Sequence, residues 1–197
     1  MNIIVDGTEI QFVKTRLVFI RNNIQTVFKN KNNKTLGETL ELPRYKNIKK
    51  QLTTLTEIDF KKPLGNVLHE MKTNGILEYK LFLNKYGDNV YGEFKIEENL
   101  TDKGLYVWVV DNQIKYLGRC TDNFKKRVNQ GYGKISAKNC FKDGQSTNCH
   151  LNSEINKYKN VEFFVHKMND SETEDINNLE LKILNNFNFE WNVQNNK

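Results

Sequence analysis

The chain lacks paired cysteines. Cys120, Cys140 and Cys149 are odd in number and contain no C-x-x-C pair. A disulfide framework and a zinc knuckle are poor readings, and a reducing compartment is the default. His69, His150 and His166 show no metal-ligand spacing. No run approaches the roughly 18 to 20 apolar residues that span a bilayer. The opening segment, MNIIVDGTEIQF, carries no basic stretch ahead of a long apolar one. The expectation is a cytoplasmic protein with no membrane partner. Neither sign of charge dominates: 30 basic residues face 24 acidic ones, a net charge of +6. That excess fits a polyanionic partner without requiring one. Richness in Asn, Lys and Ile also resembles the bias of an AT-rich genome, which raises the lysine count for reasons unrelated to binding. Low-complexity segments and internal repeats are absent as well.

What is present suffices for a core. Of the 197 residues, 38% are hydrophobic and 11% aromatic, which excludes wholesale disorder. The first hundred residues read as a mixed, largely helical region. Two short alternating strands flank Asp6-Gly7. Thr15 is placed to cap a helix with Leu17, Ile20, Ile24, Val27 and Phe28 on one face. Residues 30 to 34, NKNNK, form a polar loop. Pro43 precedes a second periodic stretch with Ile48, Leu52 and Leu55, and Pro63 sits where a further helix begins. Segments 44–57 and 63–73 suit either a small DNA-reading unit or a packing scaffold. A strand at VYGEFKI leads to the expected boundary, with residues 1–100 as an N-terminal recognition or dimerisation region and 101–197 as a catalytic domain.

The second half is clearer. LYVWVV and QIKYLG are β-rich runs joined by Asp111-Asn112, a pair that tolerates positive φ. Thr121 or Asp122 caps a short helix, NFKKRVNQ, ended by Gly131 and Gly133. After a long loop come a helix at HLNSEINKY and a strand at VEFFVHKM. A last helix, opened by Asp170 or Ser171, carries Ile176, Leu179, Ile183 and Leu184 on one side. The order is β-β-α-loop-α-β-α. Tyr106 and Tyr116 lie on neighbouring strands, about 4.8 Å apart in such a sheet, so the two phenols can converge. Arg127 follows with Lys125 and Lys126, then Lys134 and Lys138, and no acidic residue interrupts 123–138. Glu180 sits beside the apolar face of the last helix. These parts suit phosphodiester cleavage. A hard divalent ion wants carboxylate oxygen, and a guanidinium places two donors on phosphate. A phenol with a pKa of about 10 needs a nearby cation to act as a base at neutral pH.

GLY at 104–106 and KYLG at 115–118 resemble the paired signature that names the GIY-YIG nucleases. Arg127, Glu180 and Trp191-Asn192 follow in the order that family has them, and the resemblance covers roughly residues 104 to 194. It implies an α+β fold with a three-stranded antiparallel sheet flanked by helices, and metal-dependent cleavage of double-stranded DNA. Carried over by position, Tyr106 and Tyr116 flank the attacking water, one of them as base. Arg127 holds the scissile phosphate, Glu180 binds Mg²⁺ or Mn²⁺, Asn192 braces the site and Gly118 permits close backbone approach. In-line attack by water leaves a 5′-phosphate. Lys125, Lys126, Lys134 and Lys138 are the expected DNA contacts. One departure stands out: four residues after the arginine many members carry His or Tyr, whereas this chain has Gly131 and then Tyr132. Tyr132 either takes that role one residue late or the role is absent. The loop GQSTNCHLN resembles one of restriction-type members, and His150, with Asn148, is a candidate phosphate or supporting contact.

Ordinary readings compete. Tyr106 and Tyr116 have an ordinary reading as strand aromatics and Arg127 one as a solvated helix residue, which the ordered pattern around them disfavours. Glu172 and Glu174 are rival carboxylates, Trp191 suits core packing, Asn192 suits a turn, and His166 looks structural. The expected function is a site-specific endonuclease of restriction type, working as a homodimer on DNA. The alternatives are a repair or homing nuclease, and a non-catalytic DNA-binding protein that keeps the fold.

Overall fold

The computed structural model describes residues 1–193. Among the described residues, eight strands and four α-helices are joined by short 3₁₀ turns and one π-helix. The strand pairings of the N-terminal hairpin and of the central sheet are antiparallel, so the α+β class holds. Two compact units emerge, and they are not the two halves of the chain. The first comprises residues 1–21, 93–134 and 154–197, and the second 22–92 and 135–153. The boundary expected near residue 100 gives way to this interleaving because the N-terminal strands supply apolar residues to the core of the second-half sheet.

In the first unit, β1 (Asn2–Val5) and β2 (Thr8–Gln11) form the expected hairpin around Asp6 and Gly7, both at positive φ. The central sheet has four strands in the order β3-β8-β6-β7. These are β3 (Val13–Thr15), β8 (Val161–Lys167), β6 (Gly104–Val110) and β7 (Gln113–Cys120). The three strands expected from the second half are all there. The fourth, β3, pairs Val13 with Val165 and corrects the three-stranded expectation. Asp111 and Asn112 take the tight turn at φ 46° and 62°.

One face of this sheet offers Leu105, Val107, Val109 and Leu117 to Ile3, Val5, Ile10 and Phe12 and to Ile176, Ile183 and Leu184 of α4 (Thr173–Asn186). Alternation along the strands puts Tyr106, Trp108, Tyr116 and Gly118 on the opposite face. Glu172 caps α4 through a reciprocal bond with Asp175, one residue beyond the expected Ser171.

The helix expected from Thr15 is instead β4 (Leu17–Ile24), paired with β5 (Tyr91–Ile96), followed by a 3₁₀ turn at Val27–Asn30. A run rich in β-branched and aromatic residues is at home in a ladder, and spacing alone did not separate the two periods. The buried Thr15 hydroxyl accepts from Asn99 at 2.8 Å and caps nothing. In the second unit the stretch after Pro43 yields only a 3₁₀ turn, Lys46–Gln51. Pro63 does precede α2 (Leu64–Thr73). That unit also holds α1 (Leu36–Leu40) and the start of α3 (Ser146–Asn156), around a core of Phe28, Leu36, Leu64, Leu68, Phe82 and Phe141.

Candidate active site

The β6–β7 ladder sets Tyr106 opposite Gly118 and Trp108 opposite Tyr116. Gly118 is what lets the two phenols meet. A methyl built there stands 2.6 Å from the Tyr106 Cζ and hydroxyl and 2.6 Å from Tyr116 Cε1. With hydrogen alone in that space, the rings stack at 6.0 Å between centroids. Tyr106 is fully buried, and its hydroxyl accepts a bond from Arg127 Nε at 2.9 Å. Burial pushes both phenols well above their ordinary pKa, and the Arg127 charge works against that rise.

Arg127 stands on a π-helix, Lys125–Tyr132. Its cap differs from the expected Thr121 or Asp122, since Asn123 Oδ1 accepts from the Lys126 amide at 2.9 Å. The wider turn is closed by the Gly133 amide donating to the Val128 carbonyl at 2.7 Å. In such a turn, residues five apart share a side. Tyr132 therefore joins Arg127: the guanidinium carbon lies 5.6 Å from the Tyr132 ring centre, and Trp108 Nε1 donates to the Tyr132 hydroxyl at 3.2 Å. The extra residue that displaces Tyr132 in the sequence is taken up by the widened turn, and the phenol enters the same cluster, its ring 6.2 Å from that of Tyr106.

Glu180 comes from α4, which packs on the other face of the sheet. β7 is an edge strand, so one strand separates that face from Tyr116. The buried Glu180 carboxylate forms an ion pair with Arg119 of β7. Burial raises the Glu180 pKa, while Arg119 first and Arg127 second oppose the rise. Glu180 in turn adds to the upward shift of Tyr116. The carboxylate, the guanidinium and that phenol thus sense one another's charge. Glu174 is exposed on the first turn of the same helix, and Glu172 serves as its cap.

Asn192 clamps the edge strand from outside. Its Oδ1 accepts from the Leu117 amide at 2.9 Å and its Nδ2 donates to the Leu117 carbonyl at 2.8 Å, one residue before Gly118. Beside it, Trp191 is buried, and its amide bonds the Lys115 carbonyl.

The remaining candidates divide. Lys125 and Lys126 are exposed on the π-helix, and Lys126 pairs with Asp122 at 2.6 Å. Lys134 is exposed and paired with Glu93 at 2.9 Å. Lys138 and His150 belong to the second unit, and the buried His150 ring lies 4.7 Å from that of Tyr86. Asn148 is also buried there, donating to Gln145. His166 is structural, its Nδ1 at 2.9 Å from the Gln11 carbonyl oxygen. The three cysteines are free and buried.

Arg119 was not anticipated. Its only signal was a cation directly after Gly118, and nothing in the spacing tied it to a carboxylate 61 residues away.

No group of three or more His, Cys, Asp or Glu side chains able to hold a metal occurs among the described residues. Glu180, a lone buried carboxylate beside an exposed edge arginine, fits a hard cation whose other positions are filled by water and phosphate oxygens. No helix among the described residues is long and apolar enough to cross a membrane. Comparison with protein-family models, curated proteins and solved structures returns no match.

Proposed function

We propose that the chain is a divalent-metal-dependent, site-specific DNA endonuclease of the GIY-YIG kind, restriction-like in action. The observation that carries the reading is the meeting of Tyr106, Tyr116 and Arg127 over Gly118, within electrostatic reach of Glu180. Four separated segments, carrying Tyr106, Tyr116 with Gly118, Arg127 and Glu180, come together around the β6–β7 pair, and this convergence favours the reading over strand aromatics and a solvated arginine.

In this reading Arg127 grips the scissile phosphate and offsets the charge that grows on it during attack. A divalent ion held by Glu180 would supply Lewis acidity and a more acidic water. Tyr116, only part-buried, meets the incoming water and, in its phenolate form, takes the water's proton. The buried Tyr106 holds the Arg127 side chain, and Tyr132 flanks the guanidinium on its other side. The water oxygen bonds to phosphorus as the bond to the 3′ oxygen breaks, and the released 3′ oxygen takes a proton from solvent water, leaving a 5′-phosphate and a 3′-hydroxyl. Asn192 keeps β7, and with it Gly118, in register. For metal to bind, Arg119 has to release the Glu180 carboxylate, and the approaching phosphate offers the arginine another anion. Cutting both strands calls for two such sites, hence a homodimer on DNA in a cytoplasmic setting.

The test is digestion of plasmid with Mg²⁺ followed by analysis of the ends. Discrete fragments with 5′-phosphates are expected. Nicking confined to damaged duplex favours a repair enzyme instead, and inertness toward all DNA sinks the nuclease reading.

A further inference from the structure

The second compact unit contains a cleft of about 750 Å³. Its lining includes the loop 30–34, with Asn30, Lys31, Asn32, Asn33 and Lys34, together with Ser136, Ala137 and Lys138. Val27, Leu42, Tyr45 and Ile135 contribute its apolar lining. The loop backbone is fixed from behind. The Leu64 and Gly65 amides at the start of α2 donate to the Lys34 and Lys31 carbonyls at 3.0 and 2.9 Å. Gly65 admits the chain this closely, since a Cβ there stands 2.2 Å from the Lys29 carbonyl oxygen.

The hydroxyls lining the cleft are engaged. Thr39 donates to the Thr35 carbonyl, Ser136 to Asn139 Oδ1, and Tyr45 to Asp143, the one carboxylate of the lining. Among the described residues, Lys31, Lys34 and Lys138 form no ion pair, and the amides of Asn30, Asn32 and Asn33 form no side-chain hydrogen bond. Lys31 rests 4.8 Å above the Phe141 ring. Lys34 feels the charge of the exposed Glu38 without bonding it, so three ammonium groups free of ion pairs stand with three amides on an anchored loop, a surface for a polyanion that carries hydrogen-bonding edges. Lysines suit phosphates, and an asparagine amide matches the donor–acceptor pair on an adenine edge.

We propose that this cleft is the sequence-reading site for DNA, with Lys31, Lys34 and Lys138 on backbone phosphates and Asn30, Asn32 and Asn33 on base edges. The inference rests on the nuclease reading for its choice of polymer and extends it to specificity. DNA binding is to be measured by fluorescence anisotropy in EDTA over a range of salt, so that no cleavage is needed. The triple variant Lys31→Ala, Lys34→Ala, Lys138→Ala should weaken binding and flatten the log–log salt slope by about 0.9 per lost contact. Asn32→Ala with Asn33→Ala should change the sequence selected from a randomised duplex pool, while the lysine variant lowers affinity across sequences alike. Thermal unfolding confirms that each variant folds; a variant that does not is replaced by the Lys→Gln or Asn→Ser version at the same positions. If the triple variant keeps its affinity and slope while wild type cuts plasmid, the cleft assignment is overturned and the nuclease reading stands. If wild type cuts nothing yet the triple variant loses DNA binding, the nuclease reading fails and the cleft survives. A cleft that takes free mononucleotide but no duplex also overturns the proposal.

Discussion

At the residue scale, the proposed chemistry depends on which groups are charged. Tyr106 and Tyr116 are buried enough that their neutral forms dominate near pH 7, with Arg127 as the opposing influence. If a phenolate takes the proton, the single-turnover rate should rise about tenfold per pH unit through the neutral range, because ionisation lies far above it. Tyr116→Phe should flatten that slope; a plateau below pH 8 unaffected by the substitution argues for another base. Arg127→Ala should slow the step by about 10²–10³-fold, the loss typical of a removed transition-state donor, with DNA affinity changed far less in a gel-shift assay. Glu180 carries a stability signature of its own. Its carboxyl pKa is raised in the folded state by burial, so its stabilising share is present at low pH and is lost as pH rises through the folded pKa. Glu180→Gln should therefore unfold at a higher temperature than wild type near neutral pH, with the difference closing under acid. Equal midpoints throughout would show that Arg119 fully compensates the buried charge.

At the scale of elements, much of the site was legible because it depends on local signals. The β6–β7 hairpin announces itself through alternation and an Asp-Asn turn, and α4 through its apolar stripe. Two things were not legible. The π-helix depends on a one-residue excess whose accommodation no periodicity forecasts, and it decides whether Tyr132 joins Arg127. The stretch Leu17–Ile24 fits helical and strand spacing alike, and its partner β5 lies about seventy residues downstream, beyond the reach of a local reading. The clamp by Asn192 on Leu117 gives a sharp expectation. Asn192→Ala removes two buried hydrogen bonds, which should lower stability by about 1–3 kcal/mol in urea titration and reduce activity through the loosened edge strand. Gly118→Ala places a methyl 2.6 Å from both tyrosine rings and should cost about 1–3 kcal/mol from overpacking. Retention of full activity in that variant would show that the close approach of the phenols is dispensable.

For the whole molecule, the interleaving of the two units was hidden because packing across long sequence separations leaves no composition shift to mark it. Residues 101–197 contain every proposed catalytic group, yet Ile3, Val5, Ile10 and Phe12 complete the core that α4 packs against. A fragment starting at residue 101 should lack a cooperative thermal transition; a sharp one would show that the N-terminal strands are dispensable. The central claim is most directly tested by single-turnover cleavage of supercoiled plasmid in Mg²⁺, comparing wild type with Glu180→Ala at matched DNA occupancy. The expected result is cutting by the wild type and none by the variant bound to the same DNA. Equal cutting by both proteins would contradict it.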